Sequence, residues 1–301
     1  MNKLKLWFYR IAISDKNPVF RHFTKKEALA ESYGRKYEIL YKGNAFDVQI
    51  EDGDNGIIFD IHGGGYLFGD YMDENHFCHY LHEKTGMTIV SCNYDLSSKS
   101  QFPTQIEQVY ETIKTICADP AINTEKIYVM GHSAGGNATA GVTLMSIDRG
   151  DFKVDGQILN YPVLDLYSDP NNRPQVDGNI LPSGMMELFN ELYFEKKEDG
   201  KNIYASPLFT EDDKLEKLPP TYIMTCSHDQ LRVDGLKYID RLKQVGVDIE
   251  AIEVDQVHGF LETDMYNFYG KSRDEAKAGA EMSDRICQWI MDRNVGEKRF
   301  E

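Results

Sequence analysis

A chain of 301 residues can bury about 75% of the surface it exposes when unfolded, and α/β chains of this size commonly fold as one unit. Its 49 acidic residues outnumber 33 basic ones, giving a net charge of −16 with no basic run, which excludes a phosphate backbone as its partner. Five cysteines, Cys78, Cys92, Cys117, Cys226 and Cys287, show neither a C-x-x-C nor a paired spacing, so reduced packing thiols in a cytoplasmic protein are expected.

The first ten residues begin like a signal peptide, but Arg10 interrupts the apolar part and no small-residue cleavage site follows, so a retained helix is expected. Residues 1 to about 36 read as helical, with Thr24-Lys25-Lys26-Glu27 as a capping box. Strand patterns then follow at Tyr37–Tyr41, Ala45–Ile50, Ile57–Ile61 and Thr88–Asn93, and again at Ile127–Met130, Gln157–Leu159, Thr221–Cys226 and Ile249–Val254. Helical patterns separate most of them, which predicts a mostly parallel eight-stranded sheet covered on both faces. The uncharged run from Ile127 to Ile147 is long enough to cross a bilayer, yet its Gly, His, Ser and Asn content fits a strand followed by a helix. From about Tyr167 to Pro220 the alternation stops. That stretch holds prolines, asparagines and one amphipathic helix, Pro182–Phe194, and reads as an insertion over the strand ends. No internal repeat or low-complexity tract is visible.

Between the strand ending at Met130 and the helix from Ala134 lies Gly131-His132-Ser133-Ala134-Gly135. A strand that turns into a helix within one residue forces strained backbone at the turn, and flanking glycines leave room for a serine hydroxyl lifted clear of the sheet. Three other features come after strands in the order that serine hydrolysis on an α/β sheet requires. His62-Gly63-Gly64-Gly65-Tyr66 can turn backbone N–H groups inward toward an oxyanion, Ser227-His228-Asp229 supplies an acid, and His258-Gly259-Phe260 supplies a base. A serine hydroxyl is a poor nucleophile near neutral pH, so it needs an imidazole to take its proton and a carboxylate to fix that imidazole's tautomer. The expected triad is Ser133, Asp229 and His258, with the N–H groups of Gly64, Gly65 and Ala134 as the oxyanion hole.

With these motifs the chain resembles the hormone-sensitive-lipase-like branch of the α/β-hydrolases, carboxylesterases marked by HGGG and G-x-S-A-G-G. Asp229-Gln230-Leu231-Arg232-Val233-Asp234-Gly235 is similar to that family's D-x-L-R-D-E-G segment, and His258-Gly259-Phe260 to its H-G-F. The resemblance covers nearly the whole chain. It implies an α/β-hydrolase fold in which the insertion at about 167–220 joins residues 1–36 as a helical cap above the serine. Two departures stand out. His132 occupies the position usually held by Asp, Glu or Thr, as in related acetyl-ester and formyl-amide hydrolases, and the Y-R-L-A-P-E segment appears as Tyr94-Asp95-Leu96-Ser97-Ser98-Lys99.

Each site also has a plainer reading. Asp234 and Asp255 lie near Asp229 and His258 in sequence, but a solvated aspartate is the ordinary outcome, and Asp255 sits only three residues before His258. Asp165 also comes after a strand, where the resemblance implies a pocket-lining position. His76, His79 and His82 are spaced by three, which spreads them over a wide helical arc unlike the i, i+4 pair of a metal helix. Gly63, Gly65 and Gly69 lack the dinucleotide spacing. The expected function is hydrolysis of small short-acyl esters through an acyl-enzyme, with no metal, no organic cofactor, no nucleic acid and no membrane, and with a homodimer left open. A formyl-amide or sugar-acetate hydrolase with the same triad is the alternative, and a non-catalytic receptor on the same fold a remote one. Tyr66, Tyr161, Phe189 and Phe260 are the expected pocket walls, and their bulk points to acyl chains of about two to four carbons.

Overall fold

The computed structural model describes residues 33–261 and 273–295. The helical reading of the amino terminus, and with it that half of the expected cap, lies almost wholly outside these residues. Among the described residues eight strands form one sheet: β1 (Arg35–Tyr41), β2 (Asn44–Glu51), β3 (Ile57–Ile61), β4 (Thr88–Cys92), β5 (Ile127–His132), β6 (Gly156–Asn160), β7 (Thr221–His228) and β8 (Ile249–Val257), in the order β1-β2-β4-β3-β5-β6-β7-β8. Antiparallel pairing is confined to β1·β2 and β2·β4, and the remaining five pairs are parallel.

The burial of each strand explains its composition. Every residue of β3, β4, β5 and β6 is buried, because helices cover both faces of a parallel sheet, and these strands are therefore apolar runs rather than alternations. Strand β8 lies at an edge, alternates half-buried with exposed positions and carries Glu250, Glu253 and Asp255, charges that discourage pairing with another chain. At the other edge, β1 and β2 are joined by Lys42-Gly43, both with positive φ, the two-residue turn whose twist matches a hairpin.

Seven α-helices occur among the described residues: α1 (Asn75–Thr85), α2 (Thr104–Cys117), α3 (Ala134–Arg149), α4 (Ser183–Tyr193), α5 (Asp212–Leu215), α6 (Arg232–Gln244) and α7 (Arg273–Val295). On one face α2 and α3 bury Ile106, Val109, Ile113, Ala138 and Val142 against β3 and β5. On the other, α7 buries Met282, Ile286, Trp289 and Ile290 against Tyr128, Tyr222 and Met224. The described residues between β6 and β7 form no strand. All five cysteines are free, and no helix of the described residues is long and apolar enough to cross a membrane.

Candidate active site

Helix α3 starts directly from β5, and the residue between them, Ser133, takes φ 55° and ψ −113°, a conformation that side chains rarely adopt. Such strain persists only where the surroundings over-determine it. Here Ser133 N–H donates to the Asn160 carbonyl (2.9 Å) and its carbonyl accepts from Asn137 N–H (3.1 Å). The glycines are required by space. A Cβ at Gly135 would lie 1.8 Å from the Ile61 carbonyl oxygen, and one at Gly131 would lie 2.4 Å from the backbone of Gly135. Gly135→Ala is therefore expected to destabilise the fold by about 3 kcal/mol or more, since α3 cannot back away from β3 without opening the core. Urea denaturation measures this, and an unchanged midpoint would show that α3 moves freely.

Ser133, His258 and Asp229 meet although they lie far apart in sequence. His258 comes directly after β8 and Asp229 directly after β7, so neighbouring parallel strands deliver both to the same sheet edge as the serine. His258 Nδ1 is 2.6 Å from Asp229 Oδ2, and its Nε2 is 2.8 Å from Ser133 Oγ. A carboxylate only accepts, so Nδ1 carries the proton and Nε2 is left to accept from the hydroxyl. Asp229 is fixed in turn by the Leu231 N–H on its other oxygen (2.8 Å). All three residues are at least nine-tenths buried.

The competing aspartates are engaged elsewhere. Asp255 lies within β8, exposed, and bonds His228 Nε2 and Ser227 Oγ at 2.9 Å each. Asp234 accepts from Arg173 Nη2 at 2.7 Å; burial pushes its carboxyl up, and the guanidinium opposes that shift. Asp165 accepts from the N–H groups of Tyr167 and Ser168.

Gly64 and Gly65 both take positive φ, 101° and 64°, so the loop after β3 turns on conformations that favour glycine. Its anchors are on either side. His62 Nδ1–H donates to the Gly63 carbonyl (2.9 Å), Tyr94 stacks on the His62 ring and donates to its carbonyl (2.9 Å), and burial holds His62 below the ordinary imidazole range. Tyr66 is stacked on Tyr193 of α4 at 4.1 Å and donates to Asn137 Oδ1 at 2.6 Å. Asn137 also reaches the carbonyls of Val163 and Ala205, tying the elbow helix to the insertion. Neither Asn137 nor Arg173 is expected from the sequence. The only signal for Asn137 is a polar residue inside a small-residue helix destined for burial.

A cavity of about 40 Å³ opens beside Ser133, lined by Gly65, Tyr66 and Ala134 on one side and by Arg173, Met186 and Phe189 of the insertion on the other. Two of the expected wall residues are there, Tyr66 and Phe189. The other two, Tyr161 and Phe260, do not line it. Tyr161 has φ 38°, which turns it off the strand's alternation, and it packs edge-on to the His258 ring at 5.0 Å, with Phe260 behind it in the core. His132 is likewise buried and faces away from the cavity, toward Asp60 and Glu74. On α1, His79 turns to Glu51 (2.8 Å) and His82 to the Met87 carbonyl (2.9 Å) with its Nε2 3.9 Å from the same Glu51 oxygen, while His76 stands beside Tyr33, so the three helix histidines share no common centre.

A family model described as alpha/beta hydrolase fold matches residues 58–262. A putative alpha/beta hydrolase of Acanthamoeba polyphaga mimivirus is 27% identical over 210 residues, and the match spans 68% of this chain but 61% of that protein. Arylacetamide deacetylase of Bos taurus is 29% identical over 271 residues, spanning 68% of each. Among solved structures, an esterase of Pyrobaculum calidifontis superposes with a TM-score of 0.76 at 27% identity, covering 95% of this chain and 93% of its own.

Proposed function

The chain belongs to the alpha/beta hydrolase fold family, and from that membership we propose that it is a serine carboxylesterase that hydrolyses small short-acyl esters through an acyl-enzyme on Ser133. The observation that carries this reading is the unbroken relay from Ser133 Oγ to His258 to Asp229, 2.8 and 2.6 Å, at a strained elbow beside a small cavity. As Ser133 Oγ attacks the ester carbonyl, its proton passes to His258 Nε2, and Asp229 stabilises the imidazolium. The N–H groups of Gly64, Gly65 and Ala134 take the oxyanion, each contributing about 3 kcal/mol to the barrier reduction. Collapse of the tetrahedral species breaks the C–O bond, the alcohol leaves with the proton from His258, and water repeats the sequence to release the acid and restore the serine. An organophosphonate should label Ser133, and mapping the adduct to any other serine would sink the mechanism.

Residues 167–220 act as the cap in this reading, since Arg173, Leu181, Met186, Phe189 and Tyr193 close the cavity over the serine. The cavity limits the acyl group. Each methylene that fits should gain about 0.8 kcal/mol, so kcat/KM rises with chain length until the Phe189 wall is met, at about two to four carbons. A p-nitrophenyl ester series from acetate to dodecanoate reads this out. Phe189→Ala should move the optimum to longer chains, whereas a wild-type maximum at octanoate or longer would refute the short-chain reading.

Amide hydrolysis with the same triad is the second reading, and the likeness to a deacetylase of arylacetamides favours it. His132, whose place before the serine suggests formyl amides, does not reach the cavity and lends that no support. Comparing acetyl esters with acetanilides and N-formyl substrates separates the two. A receptor without catalysis has no need for the hydrogen-bonded serine and histidine found here.

A further inference from the structure

Outside the cavity lining, Asp60 of β3, Glu74 before α1 and His132 of β5 come together with relative exposures of 2%, 1% and 0%. Their ligand-type atoms all lie within 4.8 Å of one another, and His132 Nε2 is 3.4 Å from both Asp60 Oδ1 and Glu74 Oε2. A charge-assisted N–H···O bond is about 2.7–2.9 Å, so these contacts are longer than those of a tight ion pair. Two donors bound at about 2.1 Å to one tetrahedral metal, however, stand about 3.4 Å apart. Asp60 Oδ1 and His132 Nε2 face each other across the centre of the cluster, and no hydrogen bond from outside it reaches either atom.

The far side of each residue is held. Asp60 Oδ2 accepts from the Cys78 thiol (3.3 Å), Glu74 Oε1 accepts from Gly63 N–H (3.4 Å), and His132 Nδ1 lies 3.2 Å from the Tyr161 hydroxyl, which can accept its proton. Asn160 Nδ2 stands 3.4 Å from the same Nδ1 while its Oδ1 has no partner, so the amide turned over offers a second acceptor there. A proton on Nδ1 leaves the Nε2 lone pair for a metal, and outer contacts of this kind are what orient metal ligands. Charge points the same way. Two carboxylates that ionise here put −2 in a dry interior, and one divalent cation neutralises it.

We propose that Asp60, Glu74 and His132 bind a structural divalent cation of the zinc type. Imidazole and carboxylate oxygen in a small enclosed site suit zinc better than calcium or magnesium, which take six or more oxygens or keep several waters. The ion would sit one residue from Ser133 in sequence and one hydrogen bond from the Gly63 N–H, fastening the elbow and the glycine loop to β3. Because it touches no reacting atom, its role is positioning. The proposal does not depend on the substrate or on the protein's being an esterase.

Protein refolded with equimolar zinc and dialysed should retain about one zinc per chain by elemental analysis, and dipicolinate should lower its melting temperature. Asp60→Asn and Glu74→Gln should each lose most of the metal and the sensitivity to chelator. Should those variants fail to fold, crystals of the unaltered protein measured at the zinc edge must show an anomalous peak between the three residues. A zinc content below about 0.1 per chain after reconstitution would overturn the proposal in favour of two protons shared by the cluster. Zinc content unchanged in both variants would overturn it equally, by placing the metal elsewhere.

Discussion

Ser133→Ala is expected to lower kcat by about 10⁵-fold or more on any ester the protein turns over, with the fold retained. The removed hydroxyl stands 2.8 Å from His258 Nε2, and no other serine, threonine or cysteine among the described residues lines the cavity. His258→Ala should cost a similar amount, and the double variant little more, because a nucleophile without its base and a base without its nucleophile are equally idle. Residual activity would come from the glycine loop and substrate binding alone. Steady-state assays with p-nitrophenyl acetate, beside circular dichroism to show that each variant folds, measure these losses. A Ser133→Ala variant within tenfold of the unaltered protein would remove the serine from the chemistry.

Much of this site is legible in the sequence because its parts are backbone demands. An elbow between a buried strand and a helix needs small residues, and at Gly135 a missing Cβ is a matter of 1.8 Å. The strands show as apolar runs because a parallel sheet is buried on both faces. Side-chain directions at strand ends are not legible in that way. Strands β7 and β8 extend to His228 and Val257, beyond their apolar runs, and a register shift near Cys226 intervenes. Counting onward from the last apolar position therefore misplaces the side chains at the strand ends. Tyr161 illustrates the same limit, since a positive φ just after β6 sends its ring to the back of His258 rather than into the cavity. Arg173 and Asn137 escape for another reason: their partners, Asp234 on α6 and the Val163 and Ala205 carbonyls, are tens of residues away, and nothing local announces the contact. The cluster of Asp60, Glu74 and His132 joins three segments in the same way, whereas the histidines of α1, close in sequence, share no common centre.

The second large effect is expected at Asp229, and it tests an assignment that sequence position alone leaves close. Asp229→Asn should reduce kcat by about 10⁴-fold while leaving the fold intact. An amide at that position can present its own N–H to Nδ1, which favours the tautomer with the proton on Nε2, and a protonated Nε2 cannot accept from Ser133. The loss also includes the charge that stabilises the imidazolium as it forms. Asp255→Asn should change kcat by less than about threefold, since its carboxylate is exposed and serves His228 and Ser227 on the neighbouring strand. Asp234 makes the more demanding control, because it is buried and only five residues from Asp229. Asp234→Asn would leave Arg173 without its ionic partner at the cavity wall, so the expected signature is weakened folding and a raised KM, with kcat falling far less than in Asp229→Asn. The split between kcat and KM distinguishes the group that orients the base from the group that holds the wall. If Asp255→Asn or Asp234→Asn loses kcat while Asp229→Asn keeps it, the proton relay runs through a different carboxylate.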